Sequence, residues 1–197
     1  MEKILIATKN KGKLAEFKRM LLPLGYEVVS AEEEGITDDV EETGSTFAEN
    51  AALKAWAVCK ASGKPAIGDD SGLCVDALGG EPGVYSARYA GEQKDNEANI
   101  QKLLKNLENV PEEERTARFE CAIVCAFPDG RAIRAIGQCY GSILFEKRGN
   151  GGFGYDPIFS VDGKSFGEYE DSEKDKISHR GKALRRLIEL LKEENDR

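Results

Sequence analysis

The chain has 197 residues, 40% of them hydrophobic and 32% charged, with a formal net charge of −8. That length suits a single domain over 1–197 with a real core, and no apolar run reaches the roughly 18 residues that would span a bilayer. An acidic chain is repelled at long range by nucleic-acid backbones and anionic membranes, so neither is an expected partner.

The N-terminus, MEKILIATKN, has a short apolar run and no small-residue cleavage site. It reads as a first strand over 3–7 rather than a signal peptide, and the expected location is cytoplasmic. Thr8-Lys9-Asn10 leads into a helix carrying Leu14, Phe17 and Leu21 at helical spacing. Asn10 is its expected N-cap and Pro23 its stop. Tyr26–Ser30 is a second strand, and 31–44 is an acidic loop.

Thr46-Phe-Ala-Glu49 has the form of a capping box, which predicts a helix over 47–61 ended by Gly63 and Pro65. Residues 65–68 then read as a buried strand with Asp69 and Asp70 at its C-terminal end. Ligand sites form at that end of α/β sheets. Residues 81–91 read as an ordered surface loop, and 96–107 as a helix with Ile100, Leu103, Leu104 and Leu107 on one stripe. Residues 116–127 alternate as a strand, Pro128-Asp-Gly130 is a turn, and 131–140 pairs back as a hairpin. Short strands are expected at 142–146 and 157–161, and a final helix at 181–193 with a fraying tail at 194–197. This order predicts an α/β fold: a mixed sheet with flanking helices and two lobes around a central cleft.

The five cysteines are odd in number and form no C-x-x-C. Cys121 and Cys125 share a strand face with Phe119, Ile123 and Phe127, so reduced, buried thiols are expected. With one histidine in the chain, no structural zinc site is expected.

Four stretches could carry chemistry. In ATKNKGK (7–13) a helix start with Lys9, Lys11 and Lys13 nearby could cradle phosphate, although it is not a Walker A loop. Taken alone, an ordinary capped helix explains it better. Glu41, Glu42, Glu49, Asp69 and Asp70 offer the hard oxygens that Mg²⁺ takes, one or two carboxylates with substrate phosphates completing the shell. Glu49 has a cap role to explain it, and Glu41 and Glu42 could be loop charges. Asp69 and Asp70 could cap a turn through Ser71-Gly72, or one could bind metal while the other orients it or acts as a base. Neighbours in a strand point to opposite faces.

GNGGFGYDP (149–157) combines glycines, which allow close backbone approach, with Phe153 and Tyr155, which could stack a base. A glycine-rich hairpin is the simpler alternative. In ISHRGKA (177–183), Ser178 can cap the last helix. His179 and Arg180 then sit at its positive end, where the macrodipole disfavours cations, so an acid or oxygen acceptor is expected against them.

Six motifs occur in order over nearly the whole chain: ATKNKGKLAE, EETGSTFAENAALKA, PAIGDDSGL, GGEPGVYSARYAG, GGFGYDP and ISHRGKAL. With them the sequence resembles the inosine/xanthosine triphosphate pyrophosphatase family, which removes deaminated purine nucleoside triphosphates by hydrolysis to monophosphate and pyrophosphate. The resemblance implies a triphosphate-holding segment at Thr8, Lys9, Asn10, Lys11, Gly12 and Lys13, with Lys54 a further phosphate contact. It implies Glu42 and Asp70 as metal ligands for Mg²⁺, Asp70 (or Asp69 beside it) as catalytic proton acceptor, and Ser71 on the substrate. Arg88, within GGEPGVYSARYAG, joins the substrate-binding set. Phe153, Gly154, Tyr155 and Asp156 match the base pocket, Lys174 a substrate-binding lysine, and His179-Arg180 the base-reading pair. An elongated two-lobed fold and a homodimer are also implied, and the alternating hairpin 116–140 is the expected dimer surface. Rival readings are a non-catalytic nucleotide-binding regulator and a pyrophosphatase for modified pyrimidine nucleotides.

Overall fold

The computed structural model describes residues 2–92 and 94–195. Part of the expected N-terminal segment (Met1) and part of the expected fraying tail (Asp196 and Arg197) lie outside the described residues. The chain opens with β1 (Glu2–Ile6), α1 (Lys11–Leu21) and β2 (Tyr26–Ser30). Asn10 caps α1 by accepting the Lys13 N–H at 3.1 Å. α1 ends at Leu21, ahead of Pro23, and Pro23 then sits in a 3₁₀ turn, Leu22–Leu24, which ends at Gly25 in the left-handed region with φ 88°. Then α2 (Phe47–Ser62) starts on a full capping box between Thr46 and Glu49.

The next strand departs from the sequence expectation. β3 (Ala66–Val75) does not end at the acid pair but runs ten residues straight through it. Asp69 and Asp70 therefore sit mid-strand, on opposite faces. Gly68 is what lets α2 lie close to this strand: a Cβ there would fall 2.2 Å from the Ala51 carbonyl oxygen and 2.6 Å from Ala55 N.

Within the segment 81–91, expected as an ordered surface loop, residues 83–88 form a 3₁₀ helix (Gly83–Arg88). α3 (Asn96–Asn106), β4 (Thr116–Ala126) and β5 (Ala132–Ile143) follow much as the periodicity predicts. The expected strand at 142–146 is absorbed into the end of β5. The one at 157–161 shortens to β6 (Phe159–Val161) behind a 3₁₀ turn at Asp156–Ile158. Pro157 lacks the N–H that a paired strand would use. A two-residue β7 (Lys164–Ser165) and a short α4 (Asp171–Ile177) were not foreseen. α5 (His179–Asn195) begins at the histidine itself.

The sheet order is β2-β1-β3-β4-β5-β6-β7. β1 pairs in parallel with β2 and β3, whereas β5–β6 and β6–β7 are antiparallel. The fold is therefore α/β with a mixed seven-stranded sheet. The chain divides into two compact units, one comprising 1–70, 121–137 and 180–197, the other 71–120 and 138–179. Each has its own core. In the first, Ile6, Phe17, Ile67, Ile123, Leu184 and Leu187 pack together. In the second, Leu73, Leu103, Phe119, Ile158, Phe159 and Phe166 do so. All five cysteines are buried thiols. Cys121, Ile123 and Cys125 share the first core with Phe127 packed against it, while Phe119 of the same strand belongs to the second. Among the described residues, no helix is long and apolar enough to cross a membrane.

Candidate active site

In the first unit the two acids of β3 are held by different helices. Asp69, 1% exposed, accepts from Arg180 Nε on α5 at 3.0 Å, and Lys13 Nζ on α1 lies 3.3 Å from the same oxygen. The Cys121 thiol on β4 is 3.9 Å away. Arg180 also donates through Nη1 to Glu16, a buried acid of α1. These are the acids expected against Arg180 at a helix start, where the dipole alone would repel it. Burial works against the charge on Asp69, but Lys13, Arg180 and Lys54 outweigh it and hold the carboxyl well below its usual range.

Asp70 faces α2. It accepts from Asn50 Nδ2 at 3.0 Å, and Lys54 Nζ lies 3.5 Å from its other oxygen. Lys54 is also 2.9 Å from Glu42 Oε1, so one ammonium bridges two carboxylates drawn from a loop and a strand. Burial pushes the Asp70 pKa up; Lys54 and Lys13 oppose the rise, and the nearby Glu42 charge adds to it. Two neighbouring acids thus titrate in opposite directions. The EETG loop is pinned as well, since Asn50 Oδ1 accepts the Gly44 N–H at 2.8 Å. Glu49 is occupied at the cap, accepting from Ser45 and Thr46, and Glu41 is exposed.

Thr8, Lys9 and Asn10 lead into α1, whose first turn carries Lys11, Gly12 and Lys13. Thr8 Oγ1 accepts the Asn10 N–H at 3.1 Å, while Lys9 pairs with Asp39 at the surface. Lys13 reaches the acid pair through its ion pair with Asp69.

In the second unit, Ser71 follows Asp70 directly in β3. Asp156 Oδ2 accepts the Phe153 N–H at 2.7 Å and pairs with Lys174 Nζ at 2.6 Å, both side chains being 4% exposed. Lys174 also lies 4.9 Å from the centre of the Phe153 ring. The close approaches of the glycines here are made to the protein itself. A Cβ on Gly152 would meet Asp156 Oδ2 at 2.1 Å, and one on Gly149 would meet the Gly167 carbonyl oxygen at 2.1 Å. Gly154 is in the left-handed region at φ 61°. His179 stacks on Phe119 with ring centres 4.6 Å apart. Arg88 lies in the 83–88 turn, 5.2 Å from the Tyr85 ring.

Four buried polar residues carried no signal in the sequence: Glu16 and Asn50 in these networks, and Ser86 and Asn99, which brace the turn at 83–90. Each is at most 6% exposed. Asn50 and Asn99 sit on predicted helices, at positions where a buried asparagine requires specific partners. That is a signal which could have marked them once the apolar faces were drawn.

The Ham1 family pattern matches residues 4–190. The chain is 53% identical over 193 residues to the dITP/XTP pyrophosphatase of Bacillus licheniformis, covering 97% of this chain and 98% of that protein. The Bacillus subtilis protein of the same name matches equally, with the same coverage. Among solved structures, the Staphylococcus aureus Ham1 protein superposes with a TM-score of 0.87 at 47% identity, covering 98% of this chain and 100% of that one. This chain belongs to the Ham1 family.

Proposed function

We propose that the protein is a nucleoside triphosphate pyrophosphatase that hydrolyses deaminated purine nucleotides (ITP, dITP and XTP) to the monophosphate and pyrophosphate. The names of its relatives support this reading. The observation that carries it is the opposite pull on Asp69 and Asp70. Asp69, locked as an anion between Lys13 and Arg180, is a poor base. Asp70, with its pKa raised, is the better proton acceptor for an attacking water.

The donor set fits a hard divalent cation. Glu42 and Asp70 both face one ammonium, Lys54, and repel each other's charge, which a cation would relieve. These two carboxylates would hold Mg²⁺, which when bound neutralises phosphate charge and makes water more acidic. Among the described residues no group of three or more His, Cys, Asp or Glu is placed to hold a metal, so substrate oxygens would complete the shell.

The chain's own residues do the rest. Lys13, Lys54 and the start of α1 draw in the triphosphate locally, despite the net charge of −8. Thr8, Asn10 and the intervening backbone set its register, with Lys9, Lys11 and Gly12 at its edge. Asp69 keeps Lys13 and Arg180 in place. Ser71, Arg88 and Lys174 contact the substrate, and Phe153, Gly154 and Asp156 form the base surface. Donors at His179-Arg180 reward the six-position oxygen of hypoxanthine and xanthine and oppose the amino group of adenine.

The decisive experiment is an NTP panel with and without Mg²⁺, with products separated by chromatography. NMP with pyrophosphate is expected. NDP with orthophosphate would refute the assigned bond cleavage, and tight ITP binding without turnover would favour a regulator. Preference for modified pyrimidine nucleotides would favour the third reading. We also read the protein as a cytoplasmic homodimer that binds neither nucleic acid nor membrane. In support of a dimer through the 116–140 hairpin, β5 leaves Ile136 57% and Tyr140 68% exposed. Monomeric scattering in solution would refute it.

A further inference from the structure

Tyr155 lies in the segment assigned to the base, yet its side chain is turned into the protein. It is 5% exposed, and its hydroxyl donates to the Ser86 carbonyl oxygen at 2.8 Å. Ser86 is itself fixed from two sides. Its Oγ accepts the Leu73 N–H at 2.9 Å and donates to the Gly83 carbonyl at 2.6 Å. Asn99 of α3 grips the next residues of the same turn. Its Oδ1 accepts the Ala90 N–H at 2.6 Å, and its Nδ2 donates to the Ala87 carbonyl at 3.1 Å. The turn Gly83–Arg88 is therefore a rigid abutment built from β3 and α3. The 149–156 segment reaches it through the Tyr155 phenol.

A phenol has a single proton to give. The Tyr155 proton is already given, in a buried place where withdrawing it would leave the Ser86 carbonyl unsatisfied. We propose that Tyr155 is a positioning residue and not a substrate contact. Its bond to Ser86 fixes the 149–156 segment against the Gly83–Arg88 turn, and so sets the height at which Phe153 offers its ring to a purine. Stacking depends steeply on that height, because a gap of about 0.5–1 Å forfeits a quarter to a half of each atomic contact. The Asp156–Lys174 pair fixes the segment near Phe153. This inference rests on reading the site as one for purine nucleotides.

The test is calorimetric binding of IMP and of inorganic tripolyphosphate, with Mg²⁺, to the full chain and to Tyr155→Phe. IMP carries the base, whereas tripolyphosphate engages only the phosphate groups. The variant should bind IMP about fivefold more weakly, the scale of one lost hydrogen bond, with tripolyphosphate binding unchanged. Unchanged IMP binding would overturn the proposal, and so would an equal loss for both ligands, which marks general loosening. Failure of the unsubstituted protein to bind IMP would instead sink the reading of the site. Should Tyr155→Phe not fold, hydrogen exchange on the unsubstituted protein decides. IMP should slow exchange in 83–88 and 149–156 together, and protection of 149–156 alone would overturn the coupling.

Discussion

Asp69 and Asp70 are consecutive residues of one strand, and they answer to different helices. Arg180 of α5 donates to Asp69 at 3.0 Å, while Asn50 of α2 donates to Asp70 at 3.0 Å. The pleat of β3 separates them; burial raises the proton affinity of Asp70, whereas Lys13, Arg180 and Lys54 outweigh burial at Asp69 and lower it. The two acids should therefore fail differently when altered.

Asp70→Asn removes the group assigned as proton acceptor. Turnover of ITP should fall by about 10²–10⁴-fold, the range for a lost general base. Because burial raises the Asp70 pKa, folding disfavours its charged form, and the neutral amide should leave the protein as stable or slightly more so at pH 7. Chromatographic rate assays and thermal melts check both halves. A variant that keeps most of its activity would remove Asp70 from the chemistry.

Asp69→Asn should act on stability first. It leaves Arg180 and Lys13 with an amide in place of a buried carboxylate, at a cost of about 3 kcal/mol at neutral pH. The folded-state pKa is depressed, so the charged form contributes above the unfolded value of about 4 and loses that contribution as pH falls below it. The gap between the two proteins in urea unfolding should narrow from about pH 5 to about pH 2. A constant gap across that range would count against this account.

Gly68→Ala tests the contact that lets α2 reach Asp70. The added methyl would sit 2.2 Å from the Ala51 carbonyl oxygen, and backbone on both sides has no slack to give. We expect a loss of at least about 3 kcal/mol, at the upper end for overpacking. Activity should fall too, since α2 carries Asn50 and Lys54. A urea midpoint equal to that of the unsubstituted protein would show that the strand and helix can part.

Stripping metal with EDTA should stop hydrolysis without melting the fold. Lys54 already bridges Glu42 and Asp70, so the acids are not left facing each other bare. The melting temperature should move by less than about 3 °C, under about 1 kcal/mol for a chain of this size. A large drop would mean that the cation is structural.

Much of this architecture was legible in the sequence because local rules and tertiary demands agreed. The Thr46–Glu49 capping box, the Asn10 cap and the 3.6-residue stripe of α3 all appear as read. The strand through Asp69-Asp70 was not legible. Two adjacent carboxylates look like the end of a buried strand, and only cations brought from α1, α2 and α5 make them tolerable within one. Arg180 lies 111 positions from Asp69 in sequence, and no local pattern encodes that pairing. In the sequence, the glycines of 149–154 offer room for a ligand. Gly149 and Gly152 instead make room for Gly167 and Asp156. A glycine declares that something comes close, not what it is.

The five thiols offer a use of their own. All are buried, and burial pushes Cys59, Cys74 and Cys121 away from the reactive thiolate form, Cys121 up to about 12. They are spread over α2, β3, β4 and β5, so both compact units carry a reporter. A colourless thiol reagent that yields a coloured product should stay nearly silent on the native protein and count openings as they happen. Its burst sizes would reveal whether the two units open together or one at a time.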